Sequence, residues 1–135
     1  MFRKTTLITG VLLVGVATTA WVPLQDKKLA EAKARGKQLY EELCQHCHLA
    51  DGKGMPGAIP PLAKSDYLKN LTKTIHAVKF GLSEPTKVNG VEYSTPMPAA
   101  NISDEEVADV VTFVLTSWGN KGKLVTAADV AKVKQ

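Results

Sequence analysis

The apolar pattern of this chain predicts an all-α fold of at least three helices, with one minor β-hairpin near residues 88–91. Three stretches repeat apolar residues at helical intervals. Only Val88-Asn89-Gly90-Val91 has the form of a two-residue turn between β-branched neighbours. The helices are separated by long, proline-rich loops, and loops of that length in so small a domain wrap around something or carry function.

The first twenty residues form a leader. Arg3 and Lys4 precede an apolar run from Leu7 to Ala17, and then the small residues Thr18-Thr19-Ala20. That order matches a secretory signal processed after Ala20. The alternative is an uncleaved membrane anchor, although the 16 residues from Leu7 to Val22 fall short of the roughly 20 that a span needs. Either way the domain is expected outside the inner membrane, so the location is periplasmic, with a membrane tether as the alternative form.

From Asp26 to Leu43, apolar residues recur at Leu29, Ala32, Gly36, Leu39, Tyr40 and Leu43, one face of a first helix. Three glycines and three prolines make a loop of 50–61. A second helical region is expected over 66–82, with Leu68, Leu71, Ile75, Val78 and Leu82 on one face and Gly81 near its end. After the hairpin comes the stiff stretch Ser94-Thr95-Pro96-Met97-Pro98. Ser103 and Glu106 form a capping box that opens the last strong helix. Its stripe runs Val107, Val110, Val111, Val114, Leu115 and Trp118, and Gly119 stops it. A second box at Thr126 and Asp129 begins a short terminal turn or helix. The expected division is a leader over 1–20, one domain over 26–119 and a C-terminal tail over 120–135.

Composition excludes some classes. The net charge of +4 falls to +2 without Arg3 and Lys4, as 15 basic residues then face 13 acidic ones. The lysines are scattered and lack the basic cluster with interleaved aromatics of a nucleic-acid reader, so no nucleic-acid partner is expected. At 135 residues there is room for one domain with a modest core, which a buried cofactor would enlarge.

The chemistry lies in Cys44-Gln45-His46-Cys47-His48, the C-x-x-C-H signature of covalent haem attachment. Two thiols three residues apart can each add to one vinyl group of the porphyrin. The histidine that follows is then carried under the iron. These are the only two cysteines. Three other readings compete. A thioredoxin-like C-x-x-C sits near a βαβ pattern, which this chain lacks. A structural zinc site needs four ligands, and only His76 lies elsewhere to add to the cluster. A disulfide between Cys44 and Cys47 would close a tiny loop and stabilise little.

Over roughly residues 30–119 the chain resembles a class I c-type cytochrome, of the small monohaem bacterial periplasmic type. Gly36 and Tyr40 match that family's pair on the first helix, and Phe113 matches the aromatic on the last. The resemblance implies a cytochrome c-like arrangement of helices around one covalently bound haem c. It also implies that Phe113, which lies off the apolar stripe, is buried where the two helices cross.

Met97 resembles the family's distal ligand, giving His48 and Met97 as the two iron ligands. Met55 follows His48 by only seven residues, on a loop that begins on the histidine side. The Pro60-Pro61-Leu62 segment resembles the family's proline loop. Pro60 is the expected acceptor for the second nitrogen of His48, with Pro61 as the alternative. His46 is expected to be exposed, and His76 to be a surface or core histidine. No catalytic residue is expected.

His/Met ligation raises the potential and leaves no open position on the iron, which favours electron transfer over oxygen chemistry. The expected function is one-electron transfer between periplasmic redox partners: a dehydrogenase, a reductase or an oxidase. The alternatives are a cytochrome subunit of a periplasmic dehydrogenase or reductase complex and, behind it, a thiol–disulfide oxidoreductase. Six lysines against four acids between Cys44 and Ala100 give +2, which two haem propionates would cancel, so charge does not choose the partner.

Overall fold

In the computed structural model, residues 23–135 are described; the leader over 1–20 lies outside the described residues. Helix α1 spans Leu24–Leu43 and buries Ala32, Gly36 and Tyr40, three residues four apart on a single face. The chain then makes a one-turn helix, α2, Gln45–His48, which Leu49 ends at a φ of 63°. The second helical region divides. Tyr67–Lys69 form a 3₁₀ turn and α3 runs Leu71–Phe80. Asn70 makes the break, because its side chain accepts a hydrogen bond from the Lys73 N–H at 3.0 Å and so caps a new helix.

Strands β1, Thr86–Val88, and β2, Val91–Tyr93, pair antiparallel around the Asn89-Gly90 turn, with Val88 opposite Val91. Helix α4, Asp104–Leu115, opens on the Ser103–Glu106 capping box. It stops three residues before Trp118, which the periodicity placed on its stripe. Trp118 takes a φ of 51°, and its ring turns back toward α1.

All nine residues from Val107 to Leu115 are buried, so α4 is covered on every side. On one side it crosses α1. The crossing is close because Gly36 lacks a side chain: a Cβ there would collide with the backbone carbonyl of Asp109 and with Phe113 Cβ. Around this point Tyr40 packs on Phe113 (5.3 Å between ring centroids) and on Trp118 (5.0 Å). Arg35 forks onto the Asp109 carboxylate, with Nε–Oδ2 at 2.6 Å and Nη2–Oδ1 at 2.9 Å.

On another side α4 meets the end of the chain. Residues 120–135 fold back over it as α5, Ala127–Ala131, with Val125, Val130 and Val133 buried. The Thr112 hydroxyl, fully buried, accepts from the Val125 N–H at 2.9 Å. The Thr126–Asp129 box caps α5 as its spacing predicts. Among the described residues no helix is long and apolar enough to cross a membrane.

Candidate haem site

Between α2, α3, α4 and the hairpin lies a cavity of 240 Å³. Cys44, Cys47, His48, Pro60 and Met97 all line it, so the five residues singled out from sequence are brought to one place. The rest of its wall is largely apolar, with Leu68, Val78, Leu82, Val110 and Val114 among the contributors.

The two thiols are held by the helical turn that joins them: the Cys47 and His48 N–H groups donate to the Cys44 carbonyl at 3.1 and 2.9 Å. Both are free and half-buried. Burial, with the neighbouring Cys47, pushes the Cys44 thiol up to about 11. A disulfide-exchange nucleophile needs the opposite shift, which counts against Cys44 in that role.

His48 is buried, and its Nδ1–H donates to the Pro60 carbonyl at 3.1 Å. Burial lowers its pKa from the ordinary imidazole value, and the Pro60 bond opposes that only in part. The ring is therefore neutral at neutral pH and leaves Nε2 as a free donor of electrons, the form that binds a metal.

Pro60 stands on a loop tied down from several directions. Leu62 and Ala63 donate to the Gly52 carbonyl at 2.7 and 2.9 Å. The Tyr40 hydroxyl donates to Leu49 at 2.6 Å, and the Trp118 indole to Ala50 at 3.1 Å. Asn120 donates to the carbonyls of Leu62 and Val114 at 3.0 and 2.8 Å and accepts from the Lys64 N–H at 2.8 Å. The sequence does not single out Asn120. Two of its three bonds, to Leu62 and Lys64, reach more than 50 residues along the chain, for which no local signal exists.

The hairpin also serves the site. Val88 and Tyr93 are buried and line the cavity. The hairpin tip is latched by a reciprocal pair of bonds, Asn89 N–H to Asp66 Oδ1 at 2.7 Å and Asp66 N–H to Asn89 Oδ1 at 2.9 Å. The NG turn predicted the hairpin; the latch, 23 residues apart in sequence, was not legible.

Met97 comes from the segment after β2. Its backbone pairs with Leu82, N–H to carbonyl at 2.9 Å one way and 2.8 Å the other. Met55 is exposed, does not line the cavity, and pairs with Ile59 within its own loop. His46 is exposed at the cavity rim. His76 stands away from the cavity against Phe80, 5.1 Å between ring centroids.

These residues fit haem c by their chemistry: two thiols at vinyl spacing, a neutral imidazole, a thioether and an apolar wall. The Ser65 hydroxyl is compatible with this. It is buried, has no partner among the described residues, and belongs to a residue lining the cavity. A protein interior rarely leaves such a group unmatched, and haem propionates would supply acceptors, although Ser117, away from the cavity, also has a buried hydroxyl without a partner among the described residues.

Fold and site together define a haem-carrying electron-transfer protein. The sequence model of the family "Cytochrome c" matches residues 33–118. Cytochrome c-552 of Thermus thermophilus is 35% identical over 118 residues, covering 78% of this chain and 78% of its own length. The cytochrome c subunit of a quinone alcohol dehydrogenase from Gluconacetobacter polyoxogenes is 36% identical over 108 residues. The cytochrome c subunit of a gluconate 2-dehydrogenase from Pantoea cypripedii is 34% identical over 123. These matches cover 76% and 82% of this chain, but the chain spans only 23% and 28% of those two longer proteins. The chain belongs to the cytochrome c family. It binds haem c and transfers electrons between redox partners, and it is not itself a catalytic enzyme.

Proposed function

We propose that Cys44 and Cys47 form the two thioethers, that His48 and Met97 bind the iron, and that the Pro60 carbonyl orients His48. On this reading the protein is a single-electron carrier between periplasmic partners. The haem supplies a one-electron couple between ferrous and ferric iron. The chain does the rest. Leu68, Val78 and Val110 exclude water, Pro60 fixes the imidazole, and Met97 closes the last position so that no substrate can bind.

The observation that carries this reading is the buried His48, its Nδ1–H committed to Pro60, on the same cavity as both thiols and Met97. The likeness to the Thermus cytochrome c-552, matched over 78% of its length, supports the carrier reading. A second reading, a subunit of a periplasmic dehydrogenase complex, is favoured by the likeness to dehydrogenase cytochrome subunits. Co-purification of a catalytic subunit with the tagged protein would select it. The leader over 1–20 is proposed to direct export; mass spectrometry of the mature protein decides between cleavage after Ala20 and a retained anchor.

The attachment test is chemical. Haem is expected to stay with the polypeptide through denaturation and acid–acetone extraction. Cys44→Ala should leave one bond, and the double change at Cys44 and Cys47 none. Free haem recovered from the wild type would sink the assignment.

A further inference from the structure

The Met97 side of the cavity has an unusual backbone economy. Pro96 and Pro98 have no N–H, so Met97 supplies the only backbone donor of the three residues. That donor and the Met97 carbonyl both go to Leu82. The next tie is the Ala100 N–H to the Val78 carbonyl at 2.9 Å. Met97 is therefore held by the C-terminal end of α3 and the two residues beyond it.

At that end stands Gly81, with φ 78° and ψ −178°. A Cβ on Gly81 would sit 2.5 Å from the Met97 carbonyl oxygen, 2.9 Å from Ala99 N and 3.2 Å from the Pro98 carbonyl carbon. All three are backbone atoms of the Met97 segment, so no side chain can swing aside to relieve the contact. The segment lies as close to α3 as it does only because residue 81 has no side chain.

We propose that Gly81 is a positioning residue for the sixth ligand: its bare Cα lets the Met97 segment seat deeply enough for the sulfur to hold the iron against competing ligands. The inference rests on Met97 being that ligand. Gly81 touches neither the iron nor the sulfur and acts through the Met97 backbone. The three atoms nearest a Gly81 Cβ all belong to the Met97 segment, so weakening this contact is expected to act on the Met97 side and leave His48 in place.

The test uses the ferric holoprotein and two readouts, the weak sulfur-to-iron band at the red edge of the visible spectrum and the affinity for added imidazole. Gly81→Ala is expected to weaken the band and raise imidazole affinity about 10- to 100-fold, the range set by the strain of a displaced backbone. Its reduction potential should fall as the thioether is lost. Gly90→Ala is the control. Gly90 also has a positive φ, 84°, but nothing lies within 4 Å of a Cβ there. It should lower stability through the same backbone strain and leave band and imidazole affinity at wild-type values. If Gly81→Ala matches Gly90→Ala in both readouts, the inference is overturned. Should Gly81→Ala not accumulate, replacing the Leu82 amide by an ester (the α-hydroxy acid in place of Leu82) removes the N–H that donates to Met97 without adding an atom against it. The same gain in imidazole affinity is then expected, and wild-type affinity would refute the proposal. Met97→Ala separates the two levels. A band that survives Met97→Ala overturns the ligand assignment itself, whereas a band lost there but unmoved by Gly81→Ala overturns only the role of Gly81.

Discussion

The two sides of the cavity are held by different means. On the His48 side, the α1–α4 crossing, the Tyr40–Phe113–Trp118 cluster and the hydrogen bonds of Tyr40, Trp118 and Asn120 all converge on one loop. On the Met97 side, a two-bond bridge to Leu82 and the close approach at Gly81 hold a short proline-flanked segment. Beyond the crossing itself, several separate hydrogen bonds tie the loop of the first side, so loss of any single one leaves the others in place. The second side depends on few, so it is where ligand exchange should begin. On the proposed ligand assignment, a carrier with that asymmetry would keep its haem fixed while the strength of one ligand sets its potential.

Four changes would break or sharpen this contrast. The largest effect is expected from Gly36→Val, which drives a branched side chain into the Asp109 backbone where α1 and α4 cross. Backbone on both sides prevents relief, so the cost should exceed about 3 kcal/mol and little folded holoprotein should accumulate. Recovery of normally folded protein, judged by its melting curve, would show that the crossing is not the frame of the His48 side.

Met97→Ala comes next. The fold should persist, because the thioethers, His48 and the crossing are untouched. The iron should become open on one face, bind carbon monoxide or peroxide, and show a lower potential. Met55→Leu should alter neither spectrum nor potential, since Met55 lies outside the cavity. An intact spectrum in Met97→Ala together with a changed one in Met55→Leu would reverse the ligand assignment. A wild type that is already five-coordinate would replace the carrier reading with gas binding or peroxidase-like chemistry.

The smallest effect is expected from Asn120→Ala. Three hydrogen bonds are lost, worth about 2 kcal/mol together. The melting temperature should fall, while the sulfur-to-iron band stays, because the change lies on the redundant side. A lost band would mean that the two sides are coupled through the 49–64 loop.

Much of this was written locally in the chain. The C-x-x-C-H run needs no partner to be read, because thioether spacing and the adjacent imidazole are one local unit. The capping boxes at Ser103 and Thr126 are also local, four-residue devices, and both form. Asn-Gly set the hairpin for the same reason. Periodicity alone failed where the chain changes direction. It ran α4 on to Trp118, although a positive φ there turns the indole toward Ala50, and it joined 66–82 into one element that Asn70 divides.

What only the tertiary structure decided is how distant pieces close on the cavity. The folding of 120–135 over α4, the Asn89–Asp66 latch and the seating of Met97 against Gly81 each join residues more than a dozen positions apart. Helix propensity, caps and turn chemistry act over four or five residues and can be read from a linear string. Close approach of two backbones depends on where both have already been placed, and that is a property of the folded chain alone.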